Sequence, residues 1–146
     1  MPTTPNIDKI NNKIRDIEES LNRLSKFNDV SLSEFLGNRD LQDIASFRLI
    51  VATEAAIDIC LHIVSKILHS VPDDYAGCFR SLGEKGLISD DLSQGLVKMA
   101  RFRNLLVHQY WDIDYAQVYS IITGSSLDTL KSFILQVKNI CKNMVR

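Results

Sequence analysis

Residues that interrupt helices are scarce in this chain. Only six glycines and three prolines occur in 146 residues, and two of the prolines, Pro2 and Pro5, stand at the extreme N-terminus. The stretches from Pro5 to Gly37, from Gly37 to Pro72 and from Gly95 to Gly124 contain neither residue, which argues for an all-helical chain over a turn-rich one. The three cysteines, Cys60, Cys78 and Cys141, are far apart and show no metal-ligand spacing; they read as reduced thiols of a cytosolic protein. Charge of one sign is also missing. A formal net charge of −1 excludes a broadly basic surface, so any nucleic-acid contact must be local. No apolar run is long enough to cross a bilayer, and Met1 to Asn6 lack the basic and apolar regions of a signal peptide. The chain is long enough to bury a core without disulfides or metals, so one domain over residues 1–146, soluble and cytoplasmic, is expected.

What is present is helical periodicity. Ile7, Ile10, Ile14, Ile17, Leu21 and Leu24 fall three and four apart, the seam of one bundle helix. Ser31 and Glu34 form a capping box for a short turn that Gly37 ends. Nothing breaks the pattern from about Asp40 to His69, which predicts one long second helix. Pro72, Asp73 and Asp74 stop it and cap a short helix from Tyr75 to Leu82. Gly83 and Gly86 make the next loop. Ser89, Asp90 and Asp91 then open a fourth helix that runs to about Tyr110. Asp112 or Asp114 caps a final helix, bent near Gly124, Ser125 and Ser126. Short connections place successive helices antiparallel, so the expected fold is an up-down bundle of four to five helices. The basic residues near the C-terminus, Lys138, Lys142 and Arg146, read as a solvated helix end.

The segment Arg103-Asn104-Leu105-Leu106-Val107-His108-Gln109-Tyr110 carries the chemistry. An arginine, a histidine and a tyrosine stand within two helical turns among apolar residues, where such groups must be paired, desolvated or in use. An arginine to hold a phosphate and an imidazole to move protons near neutral pH are what phosphodiester cleavage needs. At 3.6 residues per turn, Leu92, Leu96, Met99, Leu106 and Val107 form a stripe with Arg103 and Tyr110 in its middle. The guanidinium there needs an acidic partner. On the second helix, Asp58 shares a stripe with Ile44, Phe47 and Val51, with Glu54 and His62 four residues to either side, so Asp58 or Glu54 is expected to orient Arg103. His108, five residues on, lies about 140° round an ideal helix, nearer Asn104 and Arg101. Either the helix loosens there, or Arg103 reaches across, or the groups meet across a subunit interface; the wheel leaves Arg101 and Arg103 both open.

Other polar residues carry blander readings. His62 and His69 are expected on the surface or as satisfied core groups. Asp58 and His62 are too few to hold a metal ion. Trp111 and Tyr115 read as helix-packing residues rather than a base-stacking platform, and Ser31 and Ser89 as caps rather than nucleophiles. With no glycine-rich phosphate loop and no carboxylate cluster, neither a metal site nor a cofactor is expected.

The string from Arg103 to Tyr110 resembles the signature of the HepT-like branch of the HEPN superfamily. Ala56 to His62, Tyr75 to Leu82, Leu87 to Ser89, Met99 to Asn104 and Asp112 to Tyr115 extend the likeness over nearly the whole chain. The resemblance implies a homodimeric helical bundle whose paired motifs line a cleft between subunits. It implies a metal-independent endoribonuclease acting on RNA such as tRNA or mRNA, the toxin of a toxin–antitoxin pair. It implies as antitoxin an MNT-type nucleotidyltransferase that attaches AMP to the motif tyrosine, here Tyr110. It also selects Arg103 over Arg101, making Arg103 and His108 the catalytic pair with Asn104 in support. A related branch, in which the helical protein is a non-catalytic nucleotide-binding or substrate-binding subunit of a minimal nucleotidyltransferase, is the alternative.

Overall fold

A computed structural model describes residues 4–144 of the chain; Met1 to Thr3 and Arg146, on which the N-terminal and basic-tail readings partly fall, lie outside the described residues. Seven α-helices run through the described residues with no strand among them: α1 (Ile7–Ser25), α2 (Leu32–Leu36), α3 (Arg39–Ile63), α4 (Tyr75–Glu84), α5 (Asp90–His108), α6 (Tyr115–Thr123) and α7 (Ser126–Met144). The expected four-to-five-helix bundle corresponds to the long helices α1, α3, α5 and α7 with α4 between them. The short α2 and the division of the last helix account for the larger number. That division falls at Gly124, whose backbone (φ −101°, ψ −161°) leaves the helical region.

Short polar side chains start the helices. Asn6, Ser31, Asn38, Asp74, Ser89 and Asp114 each accept a hydrogen bond from a first-turn backbone N–H of α1 to α6 respectively, and such a cap is worth about 1 kcal/mol. Asp114, not Asp112, caps α6. The long second helix is α-helical only to Ile63. It then widens into a π turn, Val64–Leu68, which His69 ends in a left-handed conformation (φ 51°).

α3 is the axis of the molecule and packs against every other helix. Its buried face is Ala45, Leu49, Ala52, Thr53, Ala56, Cys60 and Ile63. The alanines let α1 approach, so that Ile10, Ile14, Ile17, Leu21 and Leu24, all of them seam residues, are buried against it. The stripe read from the sequence through Ile44 and Phe47 is therefore not the core face. Both side chains are half exposed, because α3 is apolar around much of its circumference and periodicity cannot pick one side of such a helix. On the other side of the bundle α4 lies tightly on α5. A Cβ on Gly83 would stand 2.7 Å from Ser93 Cβ, so only glycine permits this approach, and Ser93 Oγ donates to the Phe79 carbonyl at 3.0 Å. Phe79 then meets Phe133 of α7 edge to face, with ring centroids 5.9 Å apart. Tyr119 of α6 donates to the Val30 carbonyl at 2.5 Å, tying the last third of the chain to the loop after α1. No helix among the described residues is long and apolar enough to cross a membrane.

Candidate active site

α5 delivers the motif. Ser89 caps it, and Leu92, Leu96, Met99 and Leu106 bury its inner face. Arg103 lies on the border of that face, with 15% of its side chain exposed. Its guanidinium is held on three sides. Nε and Nη2 donate to one carboxylate oxygen of Glu54 on α3, at 3.2 and 2.6 Å. Nη1 donates to Asn104 Oδ1 at 3.0 Å. The plane lies 5.5 Å from the ring centroid of Tyr75, the first residue of α4.

Of the two acids that could orient Arg103, the structure selects Glu54. Asp58, one turn further along α3, faces α1 and pairs with Lys13 at 3.0 Å; the hydrogen bond and charge of Asp58 raise the pKa of that lysine. The supporting place expected for Asp58 thus belongs to Glu54. Asn104 is spent on Arg103 rather than on an imidazole. Arg101 is exposed on the outer face of α5.

His108 is exposed and is the last residue of α5. Gln109 (φ −130°, ψ 40°) leaves the helix, so α5 stops short of the expected end at Tyr110. Tyr110 and Trp111 sit instead on a 3-10 turn, Tyr110–Asp112, with 67% and 72% of their surfaces exposed. Their rings meet edge to face at 5.3 Å. On an unbroken helix Tyr110 falls in the apolar stripe and Trp111 packs against the bundle; the break at Gln109 turns both outward. The helix is regular from Arg103 to His108, so the two side chains leave it about 140° apart, and Arg103 is fixed by Glu54 rather than stretched toward the imidazole.

His62 and two of the cysteines have structural surroundings of their own. His62 Nε2 accepts the Asn6 backbone N–H at 2.7 Å; burial, then Lys9 and Lys66, lower its pKa. Cys60 and Cys78 are free, buried and adjacent, and burial holds the Cys60 thiol protonated far above the usual range. No group of three or more histidines, cysteines or carboxylates gathers at a metal-binding distance among the described residues. Periodicity does not separate Glu54 from Asp58, and nothing near Tyr75 in sequence signals its contact with Arg103.

Comparison with known proteins adds four findings. A family model described as Ribonuclease HepT-like matches residues 17–137. The chain is 32% identical over 131 residues to the tRNA nuclease HepT of Aphanizomenon flos-aquae, covering 90% of this chain and 86% of that protein. It is 31% identical over 132 residues to the mRNA nuclease HepT of Shewanella oneidensis, covering 90% and 97%. Among solved structures, the tri-AMPylated HEPN toxin of Shewanella oneidensis in complex with an MNT antitoxin superimposes with a TM-score of 0.82 at 30% identity, over 90% of this chain and 98% of that one.

Proposed function

Because the chain belongs to the HepT-like ribonuclease family, we propose that it is an endoribonuclease whose Arg103 grips the scissile phosphate and whose His108 moves the proton. It serves as the toxin of a toxin–antitoxin pair with an MNT-type nucleotidyltransferase, and works on cytoplasmic RNA. The observation that carries the reading is the state of Arg103. A guanidinium has five N–H donors. Three are engaged by Glu54 and Asn104, leaving one on each terminal nitrogen for two phosphate oxygens. The cation is positioned before substrate arrives, which is how charge developing in a transition state is stabilised without reorganisation.

Cleavage follows from these groups. His108 takes the proton of the ribose 2′-hydroxyl as that oxygen bonds to phosphorus, and Arg103 neutralises the non-bridging oxygens. The bond to the 5′-oxygen breaks, that oxygen is protonated from solvent, and a 2′,3′-cyclic phosphate remains. Side chains supply both the charge neutralisation and the proton transfer, so no metal ion is required in this scheme. A general base of this kind is worth on the order of 10²–10⁴-fold in rate.

The divergence of Arg103 and His108 around α5 bears on assembly. With α5 regular and Arg103 held by Glu54, one chain does not close the pair on itself. A homodimer that brings two exposed motifs face to face supplies an imidazole opposite each guanidinium. Tyr110, two residues beyond His108 and exposed, is open to AMP transfer by the antitoxin. The added phosphodiester puts negative charge and bulk beside the motif, competing with RNA for the same cations.

Tightly controlled expression of the wild type and His108→Ala without antitoxin tests this, with growth and RNA integrity as readouts. Growth arrest with RNA fragmentation for the wild type alone is the expected result. If both proteins fold, dimerise and leave RNA intact, the binding-subunit reading replaces it.

A further inference from the structure

Arg103 is also one wall of a cleft of about 450 Å³ between α3, α5, α6 and α7, a size within the range of small-molecule sites. Its lining divides into an apolar part, with Phe102 and Ile121, and a set of polar groups from three helices: Lys98 and Arg103 of α5, Gln117 of α6 and Thr129 of α7. Gly95 lies in the α5 wall, where a Cβ would stand 3.0 Å from the Thr129 methyl, so glycine lets α5 and α7 approach closely beside the cleft. An apolar floor, a few polar groups from three helices and two cations in the lining match the parts of one nucleotide. In such an occupant the base would stack on Phe102 and Ile121, its edge would meet the Gln117 amide and the Thr129 hydroxyl, and its phosphate would meet Arg103, with the long Lys98 side chain reaching in from about 140° round α5.

We propose that this intrachain cleft is the subsite for the nucleotide adjoining the scissile phosphate, and that Lys98 and Gln117 are binding residues that set base preference. The inference rests on the ribonuclease reading and extends it. A phosphate held by Arg103 places one of its two flanking nucleosides over the cleft, so the cation that serves cleavage also registers the RNA. Lys98 and Gln117 are exposed on their helices, so replacing them leaves the core intact.

The test pairs two measurements on Lys98→Met, Gln117→Leu and the double variant, with Lys131→Met on the outer side of α7 as control. In the first, cleavage is followed on short oligoribonucleotides that differ in one base on either side of the cut. The expected result is a KM raised roughly tenfold, a kcat within about twofold of wild type, flattened base preference at one flanking position, and an unchanged thermal midpoint. In the second, adenosine, guanosine, cytidine and uridine monophosphates are titrated into the His108→Ala protein by NMR. Shifts should cluster at Phe102, Ile121 and Thr129 and vanish in the double variant. Wild-type kinetics and base preference in the double variant overturn the proposal, as do nucleotide shifts that avoid the cleft. A wild type that cleaves no RNA marks failure of the ribonuclease reading instead. In that case nucleotide binding in the cleft assigns it to a free nucleotide and overturns the RNA subsite.

Discussion

Glu54 and Arg103, 49 residues apart on α3 and α5, meet through two donors on a single carboxylate oxygen, at 3.2 and 2.6 Å. Glu54 is 46% exposed while Arg103 is 15% exposed, so the pair is a positioning device more than a stability element; half-exposed ion pairs are worth about 1 kcal/mol or less.

The pair makes two variants informative. Arg103→Lys keeps the charge but loses the planar fork and should lower kcat by about 10²-fold or more. Glu54→Gln keeps an acceptor and should lower kcat about tenfold while changing stability by less than about 1 kcal/mol. Initial rates and thermal midpoints on the purified proteins check both. A Glu54→Gln protein as active as wild type would show that Arg103 needs no orienting carboxylate.

His62 gives a pH dependence. Burial and the nearby Lys9 and Lys66 lower its folded pKa below 6.5, so the unfolded chain binds the proton more readily. The neutral ring accepts the Asn6 N–H; the stabilisation is complete above pH 6.5 and is lost as pH falls through the folded pKa. Thermal midpoints from pH 7.5 down to 5 should fall more steeply for the wild type than for His62→Gln, which retains an acceptor without titrating. Parallel curves would remove His62 from the account.

Tyr119 tests the tie between the two ends of the chain. Its hydroxyl reaches the Val30 carbonyl and its ring packs on Phe35 with centroids 5.5 Å apart. Tyr119→Phe keeps the ring and leaves that carbonyl without this donor, costing about 1 kcal/mol. Thermal or urea unfolding should register this with no change in RNA cleavage.

How far the sequence carries is visible in particular elements. The α1 seam, the caps at Ser31, Asp74 and Ser89 and the break near Gly124 are local signals, read from residues that act on their own backbone. The burial of α3 is different. Ile44 and Phe47 look like core and are half exposed, while small Ala52 and Ala56 are buried, because close approach of α1 decides the matter and periodicity contains no partner. The choice of Glu54 over Asp58 depends in the same way on Lys13, a residue of another helix. The end of α5 at Gln109 has no glycine or proline to announce it, and that break moves Tyr110 and Trp111 from the expected stripe to solvent.

The exposed turn after α5 bears on control of the toxin. Tyr110 offers a solvent-facing phenol with its ring edge-on to Trp111 at 5.3 Å. Neither ring is buried in the chain, so Tyr110→Phe and Trp111→Ala should each alter stability by less than about 0.5 kcal/mol. Their effects on control should differ. Incubated with the nucleotidyltransferase antitoxin and ATP, the wild type should gain AMP on Tyr110 and lose ribonuclease activity. Tyr110→Phe lacks the acceptor oxygen and should stay unmodified and uninhibited by transfer, while Trp111→Ala should still be modified. Intact mass and peptide mapping, read beside residual cleavage, separate the cases. AMP found on another residue, or full inactivation of Tyr110→Phe by AMP transfer, would move the control point away from this turn.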